Sequence, residues 1–185
     1  MLPPAAQYLQ RCIDEGYEAE LLNAIDNSEW LGDLKRRVQH YGFRYDYKAR
    51  RVTNESYLGP LPDWLGSLAD RLCKDGIFQR RPDQVIVNEY LPGQGIAAHV
   101  DCEPCFGETI ASLSLGSACL MEFRHIRSGH TVTQLLAPRS LLVLNGEARF
   151  NWTHGIPARK SDVIDGTRIA RGRRVSLTFR TVIMK

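Results

Sequence analysis

With 185 residues, 43% of them hydrophobic and 24% charged, the chain is long enough for one domain with a substantial core and cramped for two. That composition excludes a disordered chain, and no apolar run approaches the roughly 20 residues a membrane span needs. The formal charge of +3 is unevenly spread: residues 35–51, KRRVQHYGFRYDYKARR, hold seven of the 24 basic residues and one of the 21 acidic ones, which makes this stretch +6 and the remainder −3.

The first residues, MLPPAAQYLQRCIDEG, have neither a signal-peptide core nor a cleavage pattern, so a cytoplasmic location is expected. In EAELLNAIDNSEW (18–30), Leu21, Leu22 and Ile25 recur at helical spacing, and DNS supplies a stop, predicting a short helix. Rings then alternate at Tyr41, Phe43, Tyr45 and Tyr47, flanked by basic residues within 35–51. Such a concentration of charge is the footprint of a polyanion contact, against the plainer reading of solvated strand faces. A second helix is predicted where Pro62 and Asp63 open a stretch with Trp64, Leu65, Leu68 and Leu72 on one stripe, closed by Gly76.

From residue 84 the apolar period falls to two. QVIVNEYL, TIASLSLG, ACLMEFRH, HTVTQLLA, SLLVLNGE and RRVSLTFRTV read as strands separated by Gly and Pro turns, which predicts a sandwich or barrel. Residues 1–83 are then expected to be a helical and hairpin-bearing cover, and 84–183 an all-β core, within one domain spanning 1–185. Five cysteines, an odd number, argue against a disulfide framework and for free thiols. CEPC at 102–105 has no second C-x-x-C to complete a structural zinc site, so it is expected to be a loop of free thiols. His125 and His130 flank a hairpin tip and are expected at the surface.

In extended chain, residues i and i+2 project to one side, so His99 and Asp101 in IAAHVD can present an imidazole and a carboxylate to a single point. His154 in FNWTHGIP is the best third ligand, placed after a strand and before a Gly-Ile-Pro turn. Two histidines and a carboxylate leave one face of an octahedral metal open, the arrangement non-haem iron(II) oxygenases use. In RVSLTFR, Arg174, Ser176, Thr178 and Arg180 share one strand face while Val175, Leu177 and Phe179 take the other. Guanidiniums on an inward face need an anion, because unpaired burial costs several kcal/mol. A dicarboxylate would serve.

NEYLPGQGIAAHVD, SLSLGS, PRSLLVLNGEARFNWTHGI and RVSLTFR resemble the AlkB-like family of iron(II) and 2-oxoglutarate-dependent dioxygenases, in order from about residue 35 to 182. RRVQHYGFRYDY, PDQVIVNEY and GEARFNWTHGI resemble its tRNA wobble-uridine hydroxylase branch. The resemblance implies a mainly β, double-stranded β-helix (jelly roll) with N-terminal helices and a nucleotide-recognition lid. It implies Fe(II) held by His99, Asp101 and His154, with 2-oxoglutarate and O2 as co-substrates. It further implies that Asn88 and Tyr90 contact 2-oxoglutarate, that Arg174 pairs with its distal carboxylate, and that Arg180 lies near the carboxylate that chelates iron. Many members carry Asn where this chain has Ser176, so the hydrogen bond to the co-substrate there would be shorter in reach or absent.

The implied reaction consumes dioxygen and 2-oxoglutarate, releases succinate and carbon dioxide, and hydroxylates a substrate carbon. An N-methyl group so hydroxylated leaves as formaldehyde; an ordinary carbon keeps its hydroxyl. For substrate binding, Tyr41, Phe43, Tyr45 and Tyr47 alternate and would share one strand face, flanked by Lys35, Arg36, Arg37, Arg50 and Arg51, a pattern suited to stacked bases and phosphates. The rings could equally pack onto the jelly roll. The expected substrate is nucleic acid, single-stranded or with a flipped base, DNA or RNA, and the expected state a monomer away from membranes. Reversal of base N-alkylation and hydroxylation of a modified tRNA base both remain open. Relatives in the tRNA branch carry an RNA-recognition domain and a methyltransferase domain for which 185 residues leave no room. Modification of a protein side chain is the alternative, and a silent nucleic-acid-binding module a third reading.

Overall fold

The computed structural model describes residues 1–32 and 34–183. A short strand, β1 (Ala6–Leu9), leads to helix α1 (Glu15–Asp26), which starts three residues before the first residue of the expected stretch because the Asp14 carboxylate caps it, accepting the Tyr17 N–H at 2.7 Å. It ends before Asn27, at the expected stop. After β2 (Val38–Tyr41) comes helix α2 (Asp63–Lys74), with Pro62 before it and Gly76 beyond it at φ +76°. Leu65, Leu68, Ala69 and Leu72 form its buried stripe.

The remaining strands are β3 (Gln84–Tyr90), β4 (Ile96–His99), β5 (Ile110–Gly116), β6 (Cys119–His125), β7 (Thr131–Leu136), β8 (Leu141–Leu144), β9 (Trp152–Ile156), β10 (Ser161–Ile164), β11 (Thr167–Ala170) and β12 (Arg174–Arg180). The six strands read from period-two alternation are present. β8 is shorter than its apolar run because the chain turns at Asn145 into a one-turn helix, α3 (Gly146–Phe150).

Six strands form the larger sheet in the order β1-β8-β5-β12-β3-β2, and four form the smaller, β4-β9-β6-β7; β10 and β11 make a separate hairpin. Two edge strands of the larger sheet come from the first 83 residues, Ala6 opposite Leu144 and Val38 opposite Asn88. The boundary expected at residue 83 therefore does not separate cover from sheet. Four-residue edge strands carry too little alternation to be read from sequence.

Two apolar layers result. On the outer face of the larger sheet, Val85, Val87, Leu113, Val175, Leu177 and Phe179 pack against Leu21, Ile25, Leu65 and Leu72 of the two helices. Between the sheets, Ile110, Leu142 and Leu144 meet Met121, Phe123, Trp152 and Ile156. Each wholly buried Leu or Phe contributes on the order of 2 kcal/mol through apolar area withdrawn from water. No helix of the described residues is long and apolar enough to cross a membrane.

Candidate metal centre and co-substrate site

β4 and β9 run antiparallel with His99 directly opposite His154, so two imidazoles 55 residues apart in sequence become neighbours, ring centroids 4.5 Å apart. His154 thus lies inside a strand rather than after one. Asp101 follows β4, and its Oδ1 lies 3.3 Å from His99 Nε2 and 3.6 Å from His154 Nε2. One ligand atom from each residue lies within 4.8 Å of the others, a group that could hold a metal ion. The His99 Nδ1 sits 2.8 Å from the Ala97 carbonyl oxygen; an Nδ1–H donated there leaves the Nε2 lone pair facing Asp101.

The electrostatics suit a metal. Burial opposes charge on Asp101, yet the Arg180 guanidinium, with Nε 2.7 Å from Oδ2, holds its carboxyl well below the ordinary range. Burial pushes His154 down to about 4, against the pull of Asp101, so the imidazole is neutral with a lone pair to offer at physiological pH.

The next layer is the strand face read from RVSLTFR. Arg174, Ser176, Thr178 and Arg180 all line one cavity with Asn88, Tyr90, His99, Asp101 and His154, while Val175, Leu177 and Phe179 belong to the opposite core. β12 pairs β3 on one side, with Ser176 opposite Asn88 and Arg174 opposite Tyr90, and β5 on the other. The two arginines are differently engaged. Arg180 is held by Asp101 and, at 3.4 Å, by the Gln84 side-chain oxygen, over the Phe106 ring. Arg174 donates from Nη2 to Ser114 Oγ at 2.8 Å and lies 5.3 Å from the Tyr90 centroid, but its Nε and Nη1 are buried with no hydrogen-bond partner among the described residues. Two orphaned donors on a buried cation fit an absent carboxylate.

A second, open cavity of about 360 Å³ adjoins the first, sharing Asn88, Ile96, His99, Asp101 and Arg180. Tyr45, Tyr47, Arg36, Arg50 and Phe106 form its other walls. Arg36 Nε donates to Asn88 Oδ1 at 2.9 Å. The four expected rings do not share one face. β2 ends at Tyr41, and Gly42 turns the chain at φ +74°, where an added Cβ would lie 1.9 Å from the Asp83 carbonyl oxygen. Tyr41 packs edge-on against Trp64, and Phe43 is buried against Tyr57, while Tyr45 and Tyr47 go on to the cavity. Arg37 points away, bonded to Glu89 through two nitrogens and stacked 4.6 Å from Trp30. Arg51 is exposed and lines neither cavity.

Three features were not read from the sequence. Cys102 and Cys105 are joined as a disulfide, which corrects the expectation of free thiols there; Cys12, Cys73 and Cys119 are free. The physical reason is that the chain turns between the two cysteines, with the Cys105 and Phe106 N–H groups donating to the Cys102 carbonyl, so a C-x-x-C can close without a framework. Arg149, 2% exposed, donates to the carbonyls of Asp101 and Cys102 and so clamps the ligand-bearing loop. Phe106 floors Arg180. Alternation offers no signal for either, since both lie outside strands. His130 is exposed as expected, whereas His125 is half-buried against Trp152.

The chain matches the family model of the 2OG-Fe(II) oxygenase superfamily over residues 23–180. It is 40% identical over 205 residues to the mouse protein named tRNA (carboxymethyluridine(34)-5-O)-methyltransferase ALKBH8, covering 98% of this chain and 31% of that protein. Uncharacterized protein L905 of Acanthamoeba polyphaga mimivirus is 39% identical over 171 residues, covering 90% of this chain and 79% of the relative. The chain thus spans about a third of the mouse relative. Among solved structures, OsALKBH1 superposes with a TM-score of 0.75 at 17% identity over 98% of both chains, which speaks to the fold. The mainly β double-sheet architecture, the His-Asp-His group around a buried Asp101 and the matched model together carry one conclusion: this chain belongs to the 2OG-Fe(II) oxygenase superfamily.

Proposed function

We propose that the chain is an iron(II)- and 2-oxoglutarate-dependent dioxygenase that hydroxylates a nucleobase, and that the base it takes is uncharged or anionic. The observation that carries the first half is the buried pairing of an open-faced His99, Asp101 and His154 group with the two partnerless nitrogens of Arg174 across one cavity. Iron(II) held by those ligands would supply the activation of dioxygen that 2-oxoglutarate oxidation drives.

The protein's own groups do the rest. Arg174 offers its two donors to the distal carboxylate of the co-substrate, and Asn88, Tyr90 and Ser176 supply further polar contacts. Arg180 keeps Asp101 anionic and oriented instead of being free for the co-substrate's distal end. Tyr45, Tyr47 and Phe106 give a base flat apolar walls and displace water from the ligand group.

Charge favours the kind of base. Among the described residues, the lining of the open cavity includes Arg36, Arg50 and Arg180, and the one carboxylate there is Asp101, already paired. A base made cationic by ring N-methylation would meet guanidiniums without a counter-charge; a base bearing a carbonyl or carboxylate substituent would meet donors. The name of the mouse relative specifies carboxymethyluridine in tRNA, which is of the second kind. We therefore place hydroxylation of a modified tRNA uridine ahead of dealkylation repair.

The test incubates the iron(II)-loaded protein and 2-oxoglutarate with bulk tRNA or with oligonucleotides carrying 1-methyladenine or 3-methylcytosine, then measures succinate and analyses nucleosides by mass spectrometry. A hydroxylated uridine derivative with matching succinate is expected. Formaldehyde from the cationic bases with tRNA unchanged would overturn the choice of base. Turnover with peptide substrates alone would overturn the nucleic-acid reading.

A further inference from the structure

We propose that Cys102 and Cys105 are a redox modification site, oxidised by a hydroperoxide, whose state sets how tightly the turn at residues 46–51 is held over the open cavity. This inference concerns the cavity wall and stands whatever the substrate.

The turn is built locally. The Asp46 carboxylate accepts the Lys48 and Ala49 N–H groups, Asp46 bridges Arg51, and Arg50 has φ +49°. It meets the body of the protein through the Tyr47 ring, edge-on to His40 and Tyr45, and through Arg50, whose Nη2 lies 3.3 Å from the Val100 carbonyl oxygen. The Arg50 carbonyl oxygen lies 3.2 Å from Cys102 Sγ and 3.4 Å from Cys105 Sγ. Both sulfurs are buried, and Cys102 lines the cavity, which gives a small oxidant a way in.

The chemistry of the two states differs at that carbonyl. As thiols, both sulfurs can donate S–H to it; joined to each other, they have no proton to give. Reduction therefore latches the turn and oxidation unlatches it. Their four-residue loop is too short for the bond to restrict the unfolded chain greatly, so stapling the fold is a poor account of it. A hydroperoxide balances the step: Cys102 thiol and H2O2 give a sulfenic acid and water. The Cys105 sulfur then attacks, forming the S–S bond and releasing a second water. A dithiol returns both protons and both electrons.

Lys48, Arg50 and Arg51 place trypsin sites on the turn itself, so opening can be read directly on the full chain. The protein is treated with hydrogen peroxide or dithiothreitol, desalted, digested briefly, and its thiols mapped by alkylation and mass spectrometry. Peroxide should link Cys102 to Cys105 and speed cleavage at 48–51 by about threefold or more, the effect of losing one modest hydrogen bond, with cleavage at Arg124 and Arg127 unchanged as the reference. The double variant Cys102→Ser with Cys105→Ser keeps hydroxyl donors and should be cleaved at the reduced rate with no peroxide response. Alanine at both positions should be cut at the fast rate in either condition. Equal rates in the two redox forms, a peroxide response that survives in the serine variant, or peptide maps without the Cys102–Cys105 link would each overturn the proposal.

Discussion

Strand β12 and the segment 35–51 are both rich in arginine, and both alternate arginine or aromatic residues with others, yet only one keeps its pattern in three dimensions. β12 lies inside the larger sheet, paired to β3 over seven residues and to β5 over six, so every second side chain is committed to the same face. The segment 35–51 has one four-residue strand with a single strand partner in its sheet, and it breaks at Gly42. Alternation predicts facing only where hydrogen bonds on both sides hold the pleat.

The sharpest way to break this contrast is at the ligands. His99→Ala or Asp101→Ala should abolish succinate formation and remove iron retained after gel filtration; normal turnover in either variant would sink the metal assignment. Next, Arg174→Met should weaken 2-oxoglutarate binding about 30-fold or more, by loss of a buried charge contact. The same variant should stabilise the ligand-free protein by about 1–3 kcal/mol, because it removes a buried cation with two unsatisfied donors and no carboxylate partner among the described residues. Thermal unfolding with and without 2-oxoglutarate reads both.

The 35–51 segment should respond position by position instead. Arg36→Ala and Arg50→Ala should raise KM for nucleic acid and each lower the salt slope of binding by about one unit, whereas Arg37→Ala should leave both alone and cost at most about 1 kcal/mol of stability. A uniform response across the three would restore the expectation of one continuous basic face.

A smaller effect lies in a third arginine setting, where buried Arg171 and half-exposed Arg159 share one carboxylate. Arg171 and Arg159 bond Asp162, whose carboxyl is pulled from 3.8 to about 2 against the effect of burial. With the folded pKa below the unfolded one, the stabilisation is complete above pH 4 and is lost as pH falls from 3.8 towards 2, up to about 2 kcal/mol. Urea unfolding of Asp162→Asn should lack that part of the acid dependence.

Legibility from sequence followed the same physics. The fold class, the H-x-D pair and the inward face of β12 were readable because each is a local, periodic or short-range pattern. His154 was identified by residue type and context, but its place opposite His99 is a matter of register that no local signal carries. Arg149 and Phe106 act from a helix turn and a loop through tertiary contact alone. An odd cysteine count does not speak for every thiol, and the Cys102–Cys105 bond escapes it because a C-x-x-C can close on itself.

The contact between Arg180 and Asp101 joins a residue of the larger sheet to a ligand held at the end of the smaller one. Anything bound in the cavity that draws on Arg180 therefore alters how well Asp101 serves as a metal ligand, and metal at Asp101 alters what Arg180 has left to offer. Thermodynamic reciprocity makes the two influences equal: whatever factor the metal adds to co-substrate affinity, the co-substrate must return to the metal. On the proposed reading, a change in the supply of the organic acid would therefore shift how readily the centre fills with iron.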